Sequence, residues 1–175
     1  MIRKATENDI PGVVRIYDAI HTMEDQGKVS IGWRREAYPT KRTALDALGR
    51  GDLYVYVDGG ILAAAIINQQ QLDCYRLGRW TTDVDADKVM VLHTLVVAPE
   101  ASGRGVGTAM VDYYERMARE QGCTALRMDT QEKNTSARKL YARLGYTEAD
   151  IIDCDFQPGI SGIRLVLLDK TIVQE

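Results

Sequence analysis

Three glycines at alternate positions follow a long apolar run and constrain the fold more than any other segment. Val89–Val97 is almost continuously apolar, which predicts a buried central strand. Gly103, Gly105 and Gly107 come next, directly before a helical pattern. Glycine permits positive φ, so successive amides can point into one concavity, and the helix behind adds unpaired amides and a partial positive charge. The segment therefore predicts a diphosphate-binding turn, to which Arg104 can add a charged contact.

The spacing of these glycines excludes the two common nucleotide-binding fingerprints. A dinucleotide-binding turn needs Gly-x-Gly-x-x-Gly, but Thr108 stands three residues after Gly105, and Met110 three after Gly107. A Walker loop needs Gly-Lys-Ser or Gly-Lys-Thr at the helix start, and this segment has neither. A purely structural turn requires fewer glycines. The pattern therefore favours anion binding and makes an NAD-binding protein a distant alternative.

Two helices are predicted before the middle of the chain. Thr6 and Asp9 have the spacing of a capping box, and apolar residues recur behind them at helical intervals. A second helix is predicted to begin near Pro39-Thr40, to turn Ala44, Leu45 and Leu48 inward and to end at Gly49. Both patterns are typical of helices that pack one face against a sheet.

The middle of the chain predicts strands. An Asp-Gly-Gly sequence at 58–60 lies between two apolar runs and predicts a hairpin. The polar segment 69–88 has no clear period, so it either hides a short element or forms one wall of a site. Strands and helices mix without a linker or repeat, which predicts one mixed α/β domain over residues 1–175.

Composition narrows the compartment and the partners. The net charge of −3 weighs against a nucleic-acid or anionic-membrane surface, and no apolar run approaches the ~18 residues of a membrane span. The three cysteines are far apart and the chain has only two histidines, so neither a disulfide framework nor a metal site is expected. The first residues lack the apolar run of a signal peptide. A cytoplasmic protein is predicted.

Three segments resemble the GCN5-related N-acetyltransferase (GNAT) family. Residues 102–107 resemble its Gln/Arg-x-x-Gly-x-Gly/Ala signature, although Ser102 stands where Gln or Arg is usual. Residues 134–146 resemble its Asn…Leu-Tyr…Gly-Phe/Tyr block, and residues 2–9 resemble its usual start. The resemblance implies a twisted, mixed but mostly antiparallel sheet flanked by about four helices, with acetyl-CoA as cofactor.

The resemblance also implies a set of cofactor-binding residues. The backbone of the central strand would pair with pantetheine, the glycine turn would hold the pyrophosphate, and the downstream block would contact the cofactor. In this chain these are Leu95, Val96, Val97, Ser102, Gly103, Arg104, Gly105, Val106, Gly107, Thr108, Asn134 and Tyr141. Asn134 is equally explained as a helix N-cap.

The implied catalytic residues are Tyr141 and His93. Tyr141 is the candidate acid that hydrogen-bonds the leaving thiolate, although its helical spacing also fits an ordinary core tyrosine. His93 is the candidate base, directly or through water, since its ordinary pKa of about 6.5 suits proton uptake. A histidine in a buried strand is also explained as a core residue. The acceptor-lining candidates are Trp33, Tyr38 and Phe156, of which the first two could instead pin their loop to the core.

The predicted function is acetyl-CoA-dependent transfer of an acetyl group to a primary amine of a small molecule, by direct attack in a ternary complex. One alternative is acetylation of a protein N-terminus or lysine. Another is a catalytically silent acyl-CoA-binding module, which Ser102 slightly favours and Tyr141 opposes. The chain could form a homodimer, and its sequence does not identify the acceptor.

Overall fold

The computed structural model describes residues 1–155 and 162–172, which form seven strands and four α-helices. In chain order they are β1 (Ile2–Lys4), α1 (Ile10–Asp25), α2 (Lys41–Arg50), β2 (Leu53–Val57), β3 (Ile61–Asn68), β4 (Val89–Val97), α3 (Val106–Glu120), β5 (Ala125–Gln131), α4 (Thr135–Arg143), β6 (Thr147–Cys154) and β7 (Ile163–Thr171). No helix within these residues is both long and apolar enough to cross a membrane.

The strands form one sheet in the order β1-β2-β3-β4-β5-β7-β6. Residues 89–92 of β4 pair in parallel with residues 125–128 of β5. The pairs β1/β2, β2/β3, β5/β7 and β6/β7 are antiparallel. The prediction of a mixed α/β fold with a mostly antiparallel sheet and four helices is therefore confirmed.

The chain divides into two compact units, and the single domain over residues 1–175 stays a prediction. The first comprises Met1–Val29, Trp33–Ile67 and His93–Tyr114. In it, α1 buries Val13, Ile16 and Tyr17, and its backbone at Gly12 approaches β3 closely. A Cβ on Gly12 would lie 2.7 Å from Cγ1 of Ile61, so glycine is needed for this contact.

The second unit comprises Ser30–Gly32, Asn68–Leu92 and Glu115–Glu175. Its core lies on β5 and β7 and includes Leu126, Met128 and Leu167, each at most 1% exposed. Segment 69–88 contains two short 3₁₀ helices, Asp73–Leu77 and Ala86–Lys88. The prediction that this polar segment hides a short element is therefore confirmed.

Two polar side chains of the sheet tie segment 69–88 down. Fully buried Asp169 accepts hydrogen bonds from the backbone N and Oγ1 of Thr81, both at 2.7 Å. Arg127 donates from Nη1 to Oε1 of Gln71 at 2.7 Å, and its guanidinium lies 4.3 Å from the ring centre of Trp80. Buried groups of this kind need such partners, so these bonds fix where the segment lies on β5 and β7.

The second helix differs from its prediction at two positions. It continues through Gly49 to Arg50 and ends at Gly51, whose φ of 77° provides the left-handed turn. Leu45 was predicted to point inward, but it is 42% exposed. Ala44 is buried as predicted, and Ala47 completes the buried face, because the helix packs through its small residues.

Candidate active site

The predicted site residues fall in both units. The first unit holds the glycine turn, residues 102–108, at the start of α3. Gly103 and Gly105 have φ of 75° and 77°, the left-handed conformation that the sequence predicts. A Cβ on either glycine would meet no atom within 4 Å, so the turn is open to solvent.

The amides at the start of α3 are free of helix partners. Ala109 is the first residue to donate back into the helix, to the carbonyl oxygen of Gly105 at 2.9 Å. The amides of residues 105–108 therefore precede the ladder and have no acceptor within it. No acidic side chain lies in the first turn of α3. Free amides, the helix dipole and a first helical turn without acidic residues fit a diphosphate group.

The positively charged side chain of the turn, Arg104, forms an ion pair with a neighbouring carboxylate. Nη2 of Arg104 lies 3.5 Å from Oδ2 of Asp58, and both side chains are more than half exposed. An ion pair this exposed is weak, so Arg104 can turn to another anion at little cost. Ser102 is also exposed and offers a short hydroxyl where the family usually has a long side chain.

Strand β4 contains an unusual backbone conformation between the predicted base and the predicted pantetheine-binding residues. Thr94 has φ of 50°, and within residues 1–155 and 162–172 no other residue except glycine has a positive φ. Leu95 and Val97 are partly exposed, whereas Val96 is 2% exposed. Their side chains are apolar, so any polar contact made by this stretch must come from its backbone.

The structure brings Tyr38 to this part of β4. The hydroxyls of Tyr38 and Thr94 are hydrogen-bonded, and His93, which is partly buried, immediately precedes Thr94. Trp33 packs edge-on against Tyr38, with ring centres 6.0 Å apart. The predicted acceptor-lining pair is thus assembled next to β4 within the first unit. The third acceptor candidate, Phe156, lies outside the described residues.

In the second unit, three polar side chains alternate along β5 on one face: Arg127, Asp129 and Gln131, here called the polar row. Arg127 holds segment 69–88, and Nε2 of Gln131 donates to the carbonyl oxygen of Gly32 at 2.9 Å. A Cβ on Gly32 would overlap Gln131, so this contact requires glycine. The polar row therefore anchors two loops and holds one acid between them.

That acid is Asp129. The hydroxyl of Tyr75 donates to its Oδ2 at 2.6 Å. Burial raises the pKa of Asp129 to about 6, although the hydrogen bond from Tyr75 acts in the opposite direction. Asp129 keeps some exposed surface, whereas Tyr75 is 1% exposed. A carboxyl with these properties can accept or release a proton near neutral pH.

Tyr141 lies near this acid. Burial raises its pKa, and the negative charge of Asp129 raises it further. The phenol is therefore protonated at neutral pH and can donate a hydrogen bond. Its ring packs against that of Tyr146 with centres 6.0 Å apart.

Asn134 has the structural role that its sequence also allowed. Its Oδ1 accepts a hydrogen bond from the backbone N of Ala137 at 3.2 Å, so it caps α4. A capping side chain has its acceptor occupied, but its amide donors stay available for a ligand.

Sequence reasoning missed Asp129 and Tyr75. The only signal was the alternation of polar residues in β5, where buried strands usually carry apolar ones. Tyr75 comes from segment 69–88, which the sequence also predicted as a possible wall of a site. No group of His, Cys, Asp and Glu within the described residues is arranged to hold a metal ion.

Comparisons with known proteins identify the family of the chain. The model of the acetyltransferase (GNAT) family matches residues 15–146. A thialysine N-epsilon-acetyltransferase from Bos taurus is 27% identical over 163 residues, which cover 88% of this chain and 89% of the bovine protein. An uncharacterised N-acetyltransferase from Methanocaldococcus jannaschii is 27% identical over 73 residues, 42% of this chain and only 32% of that protein.

A solved acetyltransferase of the GNAT family from Streptococcus agalactiae has the same fold. It is superimposed with a TM-score of 0.80 at 22% identity, and the match covers 99% of this chain and 96% of the other. The family match spans the glycine turn, β5, Asn134 and Tyr141. The chain therefore belongs to the acetyltransferase (GNAT) family and is an acyltransferase.

Proposed function

We propose that this protein transfers an acetyl group from acetyl-CoA to a primary amine of a small molecule. The observation that carries the proposal is Tyr141, a buried phenol that stays protonated at neutral pH and can donate a hydrogen bond to a departing thiolate. The bovine relative, named for an amine of an amino acid, supports the small-molecule acceptor.

The first unit binds the donor. The free amides of residues 105–108 hold the pyrophosphate at the start of α3, and the backbone of Leu95, Val96 and Val97 pairs with pantetheine. The bound cosubstrate supplies the acetyl group as an activated thioester. Arg104 adds a positive charge for the pyrophosphate. Without a ligand its side chain pairs with Asp58.

Tyr141 stabilises the departing sulfur. A phenol of pKa 10 would give its proton to a thiolate of pKa about 8.5 at a cost of about 2 kcal/mol, and the raised pKa of Tyr141 increases that cost. The hydroxyl therefore acts by donating a hydrogen bond, which is strengthened in a site withdrawn from water.

The acceptor ammonium loses one proton to become a nucleophilic amine, and its nitrogen loses a second proton as the amide bond forms, which converts the departing thiolate to the thiol of CoA. A primary ammonium has a pKa of about 10.4, so it reaches the site charged and is attracted by a carboxylate. Asp129 is ionised above about pH 6 and keeps exposed surface, so we assign the proton-accepting role to it. His93 is the competing candidate for the base. Substituting His93 and Asp129 separately shows which of the two residues accepts the proton.

The primary experiment is a thiol-release assay with acetyl-CoA and a panel of small amines, amino acids and peptides. We expect acceptor-dependent release of CoA with small primary amines. Tyr141→Phe should lower kcat at least 10-fold and leave the Kd for acetyl-CoA within twofold. Tyr146→Phe is the matched control, since its hydroxyl donates to Oε1 of Glu115 at 3.0 Å and its loss should affect stability alone.

Two outcomes would replace the proposal. Turnover with peptides and none with small amines would assign the protein to protein acetylation. Tight binding of acetyl-CoA without acceptor-dependent CoA release, over the whole panel, would assign it to the silent acyl-CoA-binding module. Wild-type turnover in Tyr141→Phe would remove the role of the phenol.

A further inference from the structure

We propose that the hydroxyl of Tyr38 is a positioning group for acetyl-CoA, because it holds Thr94 in the left-handed conformation and thereby fixes the backbone that follows in β4. The inference rests on the proposed function, in which the backbone of residues 95–97 binds pantetheine. It assigns Tyr38 a role different from the acceptor-lining one that the sequence predicts. All the residues concerned lie in the first unit.

The conformation of Thr94 needs an explanation. Its φ of 50° lies in a region that a β-branched residue rarely adopts, because the side chain crowds its own backbone. Such a conformation persists only where the surroundings impose it, and strained residues cluster at sites that bind ligands. Without a restraint, Thr94 would return to the extended conformation of the rest of β4.

The restraint comes from Tyr38. Its hydroxyl is hydrogen-bonded to Oγ1 of Thr94, 56 residues further along the chain. The hydrogen bond uses the only polar group of the Thr94 side chain, so it fixes both the rotamer and the position of the backbone. Replacing either hydroxyl would remove this restraint.

Tyr38 is itself held rigidly, which a positioning residue requires. Its backbone N donates to the carbonyl oxygen of Arg34 at 2.8 Å, and its ring packs edge-on against Trp33. The next residue, Pro39, shares a 2.8 Å hydrogen bond between its carbonyl oxygen and Nε2 of buried His21 on α1. The hydroxyl of Tyr38 is therefore presented to β4 from a fixed loop.

The consequence for the cosubstrate follows from the backbone. Leu95 and Val97 offer ligands only amides and carbonyls, whose directions depend on the dihedral angles of the preceding residue. If Thr94 relaxes, these groups rotate away from their acetyl-CoA-binding directions. The affinity for acetyl-CoA should then depend on a hydroxyl that itself need not touch the cosubstrate.

The test is a double-mutant cycle on Tyr38 and Thr94, read by calorimetric titration with acetyl-CoA. Tyr38→Phe should weaken binding about fivefold, since one hydrogen bond is lost. Thr94→Val should behave like Tyr38→Phe, whereas Thr94→Ser, which keeps the hydroxyl, should bind like wild type. Thr94→Gly should stay within twofold of wild type, because glycine adopts positive φ without a restraint.

The decisive variant combines Tyr38→Phe with Thr94→Gly. We expect it to bind acetyl-CoA within twofold of Thr94→Gly alone, because glycine makes the hydroxyl unnecessary. Tyr54→Phe removes the hydroxyl of a buried tyrosine of the first unit; it is the control and should not change the Kd. In kinetics, Tyr38→Phe should raise the KM for acetyl-CoA and leave the KM for the amine unchanged.

Three results would overturn the inference. These are an unchanged Kd in Tyr38→Phe, a double variant that loses the product of the two single effects, and a raised KM for the amine alone. The last would return Tyr38 to the acceptor-lining role. A wild-type protein that does not bind acetyl-CoA would instead refute the proposed function, so the two failures are distinguishable.

Discussion

Asp9 and Asp129 are both acids withdrawn from solvent, one in each unit, and their surroundings move the pKa in opposite directions. The guanidinium of Arg3 donates two hydrogen bonds to the carboxylate of Asp9, at 2.7 and 2.9 Å, and Thr6 adds its backbone N at 2.8 Å. These donors hold the pKa of Asp9 well below its usual range. Within residues 1–155 and 162–172 Asp129 has one neutral donor, Tyr75, and burial raises the pKa of Asp129 to about 6.

The difference separates an acid that stabilises the fold from an acid that is available for chemistry. A carboxylate surrounded by a cation and backbone donors is locked in its charged form and joins the chain start to α1. A carboxylate with one neutral donor is left in a costly state, which evolution tolerates where the group has a task. The number and charge of the donors, rather than burial alone, decide which case applies.

The largest effect should come from Asp129→Asn. The amide keeps the shape and can still accept the hydrogen bond of Tyr75, but it cannot take a proton. We expect kcat/KM for the amine to fall about 100-fold or more. The acidic limb of the wild-type profile, which should rise through about pH 6, should disappear in the variant.

Two variants serve as controls for this prediction. Asp153→Asn removes the same charge from an exposed acid of the second unit and should leave the profile unchanged. His93→Gln should keep the acidic limb. If His93→Gln loses the acidic limb and Asp129→Asn keeps it, the base is His93. Asp129 would then have no catalytic role that distinguishes it from Asp9.

The second effect should be on stability alone. Asp9→Asn removes the charge from a carboxylate whose side chain is 8% exposed and leaves Arg3 without its partner. We expect the free energy of unfolding to fall by about 2 kcal/mol, with kcat unchanged. Denaturant unfolding at pH 7 measures it.

An exposed pair on α2 is the control for Asp9. Nε of Arg42 lies 2.8 Å from Oδ1 of Asp46, and the two side chains are 82% and 46% exposed. Asp46→Asn should cost no more than about 0.5 kcal/mol. Equal losses in Asp9→Asn and Asp46→Asn would show that the buried network adds nothing.

The third prediction concerns the pH dependence of stability, where the two acids should act with opposite signs. Asp129 binds its proton more tightly in the folded state, so between about pH 4 and pH 6 its ionisation destabilises the fold as pH rises. Asp129→Asn should therefore match wild type below pH 4 and exceed it by about 1 kcal/mol at pH 7, allowing for solvent screening.

Asp9 should act the other way in the same measurement. Its lowered pKa contributes stability that is present above about pH 4 and is lost as pH falls below it. The difference between wild type and Asp9→Asn should shrink in acid. A difference that is constant over pH 3–7 in both variants would mean that neither carboxylate titrates differently on folding.

The sequence predicted well what depends on local pattern. The glycine turn, the strand before it and the capping box at Thr6 are set by neighbouring residues, and the structure has all three. Leu45 was misplaced because helical periodicity alone does not show which face meets the sheet. Gly49 was taken as the helix end because only backbone coordinates distinguish it from Gly51, the residue with positive φ.

The sequence predicted only those residues of the candidate site that belong to a recognisable motif. Tyr141 and Asn134 were predicted because residues 134–146 resemble a block of the family. Their roles as acid and as cofactor contact came from that resemblance. The environment of Asp129 includes a hydrogen bond from Tyr75, which lies 54 residues away in a segment without periodicity. The left-handed conformation of Thr94 likewise depends on a partner 56 residues distant. Contacts between residues this far apart depend on the topology of the fold, and a single sequence does not show them.

The smallest effect should come from Tyr75→Phe, which sharpens the comparison by removing the one donor of Asp129. The hydrogen bond from Tyr75 lowers the pKa of the carboxyl, so its loss should raise that pKa further above its usual range. The acidic limb of kcat/KM should move upward by about half a pH unit, with the plateau at high pH unchanged. Trp80→Phe, a change in the neighbouring ring that keeps the hydroxyl of Tyr75, should leave the limb in place. A limb that moves downward in Tyr75→Phe would mean that the phenol supports the protonated acid, and the number of donors would then not explain the contrast with Asp9.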